Sequence, residues 1–106
     1  MLFELRQYQA KPGKRDDFVR LMEAEIIPFQ VSKGMVIVGS FTGEEDDNLY
    51  VWIRRFDDEA QRVAQYEAVY QSDYWVDDVS PRVGELQHRD TISVTRMNPT
   101  ALSMLK

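Results

Sequence analysis

The order of hydrophobic patterns along the chain limits the folds it can adopt. Strand side chains alternate with a period of two, whereas a buried helix face recurs every three or four residues. By these criteria the segments read strand, helix, strand, strand, helix, strand, at residues 2–8, 15–33, 35–42, 49–56, 57–75 and 88–97. The predicted buried stripes are Phe18, Leu21, Met22, Ile26 and Phe29 in the first helix and Val63, Tyr66 and Tyr70 in the second. This order predicts an α+β fold of the split βαβ type, a four-stranded antiparallel sheet with two helices on one face.

The length and composition are those of one globular domain. The chain has 106 residues, of which 43% are hydrophobic and 29% are charged, values typical of a single soluble domain. Asn98 and Pro99 end the last predicted strand, because proline cannot donate a backbone hydrogen bond to a sheet. We therefore predict one domain over residues 1–98 and a short tail over residues 99–106.

The charge and the cysteine content argue against several classes of protein. Nucleic-acid and anionic-membrane partners require clustered Lys and Arg, but this chain has a net charge of −5 and its basic residues are scattered. It has no cysteine, so a disulfide framework and a thiolate metal site are both impossible. The amino terminus lacks the apolar run of a secretory signal, and no segment approaches a membrane-spanning length. We expect a cytoplasmic protein with no nucleic-acid or membrane partner.

Two predicted strands each combine an aliphatic face with an ionic and aromatic face. The ionic and aromatic faces consist of Glu4, Arg6 and Tyr8 in the first strand and Tyr50, Trp52 and Arg54 in the third. We predict that the aliphatic faces, including Val51 and Ile53, pack against the helices, which leaves the ionic and aromatic faces on the open side of the sheet. A bare aromatic face usually marks an interface or a ligand site. We therefore predict a homodimer in which two sheets pack face to face around a two-fold axis, as a dimeric α+β barrel.

The interior of this barrel is the predicted site for a small organic ligand. The planar fork of an arginine side chain suits a carboxylate or an enolate. The candidate ligand-pocket residues are Glu4, Arg6, Tyr8, Tyr50, Trp52, Arg54, Trp75 and His88. In the alternative interpretation, Glu4 and Arg6 pair with each other, or with Arg54 across the dimer, and only hold the strands in register. The ligand-binding interpretation predicts an enclosed cavity of roughly a few hundred cubic ångströms, whereas a barrel filled by side chains would contradict it.

His88 and Trp75 each have two interpretations. His88 is the only histidine, and it is either a surface residue or a general base or axial haem ligand at the mouth of the barrel. Trp75 either lines the cavity or anchors its loop on the core. No further ligands with metal-site spacing flank His88, and the acidic loop at residues 44–47 lacks the pattern of a calcium-binding EF-hand. We expect no metal and no cofactor, with haem as the alternative.

Four segments of the sequence resemble the NIPSNAP family. They are FELRQYQAKPGK, VSKGMVIVGSFTGE, YVWIRRFDDEAQR and QSDYWVDDVSPRVGEL. The resemblance extends from about Leu2 to Met97 and implies a ferredoxin-like fold that forms a dimeric α+β barrel. The family has no agreed biochemical activity; its animal members are described in vesicle transport and as mitochondrial adaptors. Similar barrels include cofactor-free monooxygenases, isomerases and haem-degrading enzymes, but a shared fold does not imply a shared function.

Two functions are compatible with these residues. The first is binding of a small organic ligand in the barrel, as in a cofactor-free oxygenase or isomerase. The second is a non-catalytic homodimeric interaction or adaptor module, which would have a packed interior and an exposed apolar patch elsewhere. The pattern leaves open whether the protein is an enzyme.

Overall fold

The predicted order of strands and helices is present in the computed structural model, which describes residues 1–106. The strands are β1 (Leu2–Gln9), β2 (Val36–Thr42), β3 (Leu49–Phe56) and β4 (Ser93–Met97). The helices are α1 (Arg15–Leu21), α2 (Ile27–Ser32), α3 (Glu59–Tyr70) and α4 (Ser80–Leu86). Two π-helical segments, Met22–Ile26 and Tyr74–Val79, lead directly into α2 and α4, and a 3₁₀ turn at Arg89–Thr91 precedes β4. None of the helices has the length and hydropathy needed to cross a lipid bilayer.

The four strands form one antiparallel sheet in the order β2-β3-β1-β4, with the helices packed on one face. This confirms the predicted fold class. The central strands β1 and β3 pair over their whole length, so that opposite residues share a face of the sheet. The opposed pairs on one face are Glu4 with Arg54, Arg6 with Trp52, and Tyr8 with Tyr50. The register therefore gathers the six ionic and aromatic residues of the two strands on a single face.

That face is turned towards the helices, which is the reverse of the prediction. Tyr50, Trp52 and Arg54 are each at most 1% exposed, and the first two belong to the main hydrophobic core. Val51 and Ile53, which were predicted to meet the helices, are half-buried on the opposite face. The ionic and aromatic residues are thus enclosed within one subunit and do not line an interior shared between two sheets.

The helices can cover an ionic face because they carry polar groups that satisfy it. Tyr66 and Tyr70 of α3 place their hydroxyl oxygens 2.7 Å from the guanidinium nitrogens of Arg54, and Gln30 of α2 accepts a third bond at 3.0 Å. Burial of polar groups is costly only when their hydrogen bonds are left unmade. An aliphatic surface could not have supplied these acceptors, so the charged face lies under the helices.

The buried faces of the helices also differ in part from the predicted stripes. Gln30 is fully buried, whereas its neighbour Phe29 is only half-buried. In α3, Val69 is fully buried while Val63 is 43% exposed. The π-helical segment before α2 has more residues per turn than an α-helix, so a stripe extrapolated at α-helical spacing points away from the sheet after it.

The open face of the sheet is largely aliphatic and is only partly covered by the tail. Val36 and Phe41 are 44% and 54% exposed. Phe3 is only 4% exposed and lies in a shallow depression beside Leu105. Residues 98–106 contain no helix or strand, and Arg55 Nε donates a hydrogen bond of 2.6 Å to the carbonyl of Lys106. The division into a domain and a tail at residue 98 stays a prediction.

A buried arginine network beside a small cavity

Arg54 is the centre of a hydrogen-bond network between the sheet and the helices. Its side chain is fully buried, and Glu4, opposite it on β1, is 2% exposed. The Nη2 atom of Arg54 lies 2.8 Å from Glu4 Oε1. The hydroxyl of Tyr66 lies 2.7 and 2.8 Å from the two oxygens of the same carboxylate, to which it donates. Glu4 therefore pairs with Arg54 of its own chain, and neither with Arg6 nor across a dimer.

The network satisfies most of the polar atoms that it buries. Besides Glu4, the guanidinium of Arg54 contacts Gln30, Tyr66 and Tyr70, and its carbon lies 4.9 Å from the ring centre of Trp52. Only the Nε atom of Arg54 lacks a partner. A buried charge is tolerated when it is paired and hydrogen-bonded, so this arrangement explains how an arginine occupies the core.

Arg6 lies next to this network and has no carboxylate partner. Its Nε atom donates to the hydroxyl of Tyr8 at 2.6 Å, and its Nη1 atom donates to that of Tyr66 at 3.2 Å. The carboxylate of Glu4 is already paired with Arg54 and lies 3.9 Å from a nitrogen of Arg62. The site thus contains one cation, Arg6, whose charge no acidic side chain neutralises.

The ionisation states follow from burial and from these contacts. Burial lowers the pKa of Arg6, but the neighbouring Tyr8, Tyr70 and Tyr66 raise it by more, so the guanidinium stays charged. Burial raises the pKa of Tyr8, although the adjacent Arg6 opposes this effect. Burial also raises the pKa of Tyr66 to about 12. At neutral pH the site therefore holds a permanent cation beside protonated phenols.

A cavity of about 60 Å³ lies between the sheet and the helices and adjoins this network. We call it the arginine cavity. Its wall is mostly hydrophobic and includes Arg6, Tyr8, Trp52, Tyr70, Trp75 and Gln87. Both π-helical segments contribute to it, the first through Met22 and Ile26 and the second through Trp75. Single π-helical turns occur frequently at functional sites, so their position here favours a functional interpretation of the cavity.

The arginine cavity brings together half of the predicted ligand-pocket residues. Arg6, Tyr8, Trp52 and Trp75 line it. Glu4 and Arg54 lie in the adjoining network.

The other two candidates lie elsewhere. Tyr50 is buried in the core, where its hydroxyl is 2.6 Å from Ser40 Oγ, and His88 is exposed on the surface and does not line the cavity. A haem ligated by His88 would therefore have to lie outside the arginine cavity. No group of three or more His, Cys, Asp or Glu side chains is arranged to hold a metal ion.

Two polar residues of the cavity were not predicted as ligand contacts. The helical periodicity predicts Tyr70 in the buried stripe of the helix and gives no indication of the contacts of its hydroxyl. Gln87 lies in the connection between α4 and β4, where no periodic pattern marks it. It reaches the cavity because it bridges to Ala10 at the end of β1.

Comparison with known proteins agrees with this architecture. The NIPSNAP family model matches residues 3–104, nearly the whole chain. The chain belongs to the NIPSNAP family. No curated protein shows a significant match.

Solved structures similar to this NIPSNAP chain include other members of the family. One is a NIPSNAP family protein of unknown function from Agrobacterium tumefaciens, with a TM-score of 0.89 and 25% identity over 100% of this chain and 94% of that one. An uncharacterised NIPSNAP domain protein from Burkholderia xenovorans has a TM-score of 0.85 and 22% identity over 97% and 98%. An antibiotic biosynthesis monooxygenase, at 19% identity over 94% and 99%, has a TM-score of 0.67 and shares the fold.

Proposed function

We propose that this NIPSNAP chain binds a small organic ligand in the arginine cavity. The observation that carries the proposal is an unneutralised cation, Arg6, in the wall of a largely apolar cavity that five aromatic side chains line. Ligand sites typically combine an apolar lining with a few polar groups that fix orientation. With a volume of about 60 Å³, the cavity is smaller than expected from the sequence and accommodates only the head group of a larger molecule.

The lining favours binding over catalysis. An isomerase requires a group that removes a proton from the substrate, but no Asp, Glu, His or Lys lines the cavity. The carboxylate of Glu4 is held by Arg54 and Tyr66. In the catalytic form of the proposal, a cofactor-free oxygenase or isomerase, Arg6 and Tyr8 would stabilise an enolate, and the base would have to come from outside the residues that line the cavity.

The proposal can be tested with the two tryptophans of the chain, because both line the cavity. Their indole N–H signals would be followed by nuclear magnetic resonance during titration with compounds of at most about five non-hydrogen atoms, including neutral, anionic and cationic members. We expect a subset to shift both signals in a saturable manner. Absence of any such compound would refute the proposal.

A cavity-filling variant provides the matched control. Val83 lines the cavity and is 7% exposed, whereas Val63 is 43% exposed on the outer surface of α3. In Val83→Leu the longer side chain should fill part of the cavity and abolish the shifts, and in Val63→Leu binding should be unchanged. Equal binding by both variants would place the ligand elsewhere.

Assembly into a homodimer is a second candidate property, and it would also serve the interaction-module alternative. We propose that the open faces of two sheets pack together, because exposed Val36 and Phe41 lie on that face beside half-buried Val51 and Ile53. Contiguous apolar surface usually marks an interface. The barrel interior would then be aliphatic, and each subunit would keep its own arginine cavity. The cytoplasmic location stays a prediction.

Sedimentation equilibrium at micromolar concentration tests the assembly. Val36 on the open face and Val63 on α3 are the same residue type with 44% and 43% exposure. We expect the parent protein and Val63→Asp to be dimers, and Val36→Asp to dissociate. A monomeric parent protein, or an unaffected Val36→Asp dimer, would contradict the proposal.

A further inference from the structure

Tyr8 has a hydroxyl proton for which the protein supplies no acceptor. A tyrosine hydroxyl can donate one hydrogen bond and accept from its lone pairs. The Tyr8 oxygen accepts from Arg6 Nε at 2.6 Å and from Trp52 Nε1 at 3.0 Å, and neither of these nitrogens can accept a bond in return. Because Tyr8 lines the arginine cavity, its proton is available to a ligand there.

Tyr70 is in the same situation on the helical side of the cavity. Its hydroxyl accepts from Arg54 Nη1 at 2.7 Å and from Gln30 Nε2 at 3.4 Å, and it has no acceptor of its own. The hydroxyl of Tyr66 provides a contrast, since it donates to the carboxylate of Glu4. The free protons therefore belong to the two tyrosines of the network that line the cavity.

Gln87 contributes an acceptor without a partner. It is 4% exposed and lines the cavity. Its Oε1 atom is buried and forms no hydrogen bond. Buried polar atoms in native proteins nearly always have a partner, either in the protein or in bound water. Because Gln87 lines the cavity, we assign to its unpaired oxygen a donor within the cavity.

Charge and size further restrict the ligand. Arg6 supplies a positive charge that no carboxylate of the protein neutralises. The volume of about 60 Å³ corresponds to roughly two water molecules in the liquid and is well below the approximately 150 Å³ of a cavity that accepts benzene. A group of a few heavy atoms fits this space, whereas an aromatic ring does not.

We propose that the arginine cavity recognises a carboxylate group with a hydroxyl group on the adjacent carbon. Arg6, Tyr8 and Tyr70 supply the positive charge and the hydrogen-bond donors for the carboxylate. Gln87 Oε1 accepts the proton of the neighbouring hydroxyl. This inference rests on the proposed ligand-binding function and specifies the chemical class of the ligand. The recognised group is either a free acid or the head group of a longer molecule.

Three probes of nearly equal size test each element of the inference. Glycolate has the carboxylate and the hydroxyl, acetate lacks the hydroxyl, and glycolamide lacks the charge. Hydrogen bonds to charged groups contribute more than those between neutral groups, so we expect glycolate to bind about tenfold more tightly than glycolamide and about threefold more tightly than acetate. The tryptophan indole signals provide the dissociation constants.

Variants of the wall identify the groups responsible. Arg6→Gln should bring the glycolate and glycolamide affinities to within about twofold of each other, a selectivity change that a general loss of stability would not produce. Tyr8→Phe should weaken glycolate about tenfold. Tyr50→Phe is the matched control, because the Tyr50 hydroxyl contacts Ser40 and Tyr50 does not line the cavity. The affinity of this variant for glycolate should equal that of the parent protein.

The outcomes separate this inference from the function on which it rests. If neutral compounds bind in the cavity and glycolate binds no better than glycolamide, the carboxylate assignment is wrong while ligand binding stands. If acetate binds as tightly as glycolate, the role assigned to Gln87 is wrong. If no compound of any charge binds, both the function and its chemical class are refuted.

Discussion

Replacing Glu4 by glutamine would remove the negative charge from the network around Arg54 while nearly preserving the shape of the side chain. The amide oxygen of the introduced glutamine could still accept a bond from Arg54 Nη2, which lies 2.8 Å from the native carboxylate. The guanidinium would keep its bonds to Gln30, Tyr66 and Tyr70. The substitution therefore isolates the contribution of the opposite charge.

The expected cost follows from the burial of both partners. Arg54 is 0% exposed and Glu4 is 2% exposed, so water cannot solvate the Arg54 guanidinium once its carboxylate partner is removed. Removal of one partner of a buried pair typically costs about 3–5 kcal/mol, and the remaining bonds of Arg54 put our expectation near the lower limit. For a domain of this size with a total stability of about 5–15 kcal/mol, a loss of about 3 kcal/mol lowers the melting temperature by roughly 10–20 °C.

Urea unfolding followed by circular dichroism measures this loss. The control is Asp17→Asn, which removes the exposed ion pair between Asp17 and Arg20 and should cost less than about 0.5 kcal/mol. The double variant Glu4→Gln/Arg54→Met removes both charges and should be destabilised by less than the sum of its single variants. A cost below about 1 kcal/mol for Glu4→Gln would refute the claim that this charge pair is essential to the core.

Two further predictions concern the backbone and acid stability. Gly34 has a φ of +93°, and an added Cβ would lie 3.0 Å from the side chain of Gln65, whereas Gly13 has a φ of +75° and open space around it. In thermal unfolding, Gly34→Ala should therefore lower the free energy of unfolding by about 2 kcal/mol and Gly13→Ala by about 1 kcal/mol. Equal losses in the two variants would contradict the contact with Gln65. Hydrogen bonds from Arg82 lower the pKa of Glu25 to about 2. The stabilisation that the Glu25 carboxylate gives to the folded state is therefore complete above the ordinary carboxyl pKa of 4.5 and is lost as the pH falls towards 2. The side chains of Glu25 and Arg82 are 35% and 38% exposed, so Glu25→Gln should reduce the pH dependence of stability in this range by less than about 1 kcal/mol. Urea unfolding at a series of pH values measures this dependence. The same dependence in the variant and the parent protein would count against the ion pair.

The sequence alone was sufficient to predict the fold, because strand and helix periodicities are local properties and their order admits few topologies. It was not sufficient to predict which face of the sheet the helices cover. Both faces of β3 had a plausible partner, since Val51 and Ile53 suit an apolar helix surface. The helices cover the ionic face because the hydroxyl groups of Tyr66 and Tyr70 bind Arg54. These tyrosines are too distant from Arg54 along the chain for a periodic pattern to reveal the contacts.

The candidate site was predictable in its residue types and only partly in its location. Arg6, Tyr8 and Trp52 come together because they are neighbours in paired strands, and alternation along each strand identifies them. Gln87 reaches the cavity from an irregular connection, whose path depends on tertiary packing. Gln30 enters the network because the π-helical segment before it changes the angular position of every later residue in that helix.

The π-helical segment Met22–Ile26 is a position where the chain can lose one residue without a change in the orientation of the helices around it. A hydrogen-bonded π turn contains one residue more than an α turn. Deletion of the exposed residue Glu23 from Met22–Ile26 would therefore leave a regular α-helix whose flanking residues keep their orientation. A one-residue deletion within α3 would instead turn all later side chains of that helix by about 100°. Insertions and deletions between related chains should consequently concentrate in the wall of the cavity, where they alter its shape and leave the topology intact.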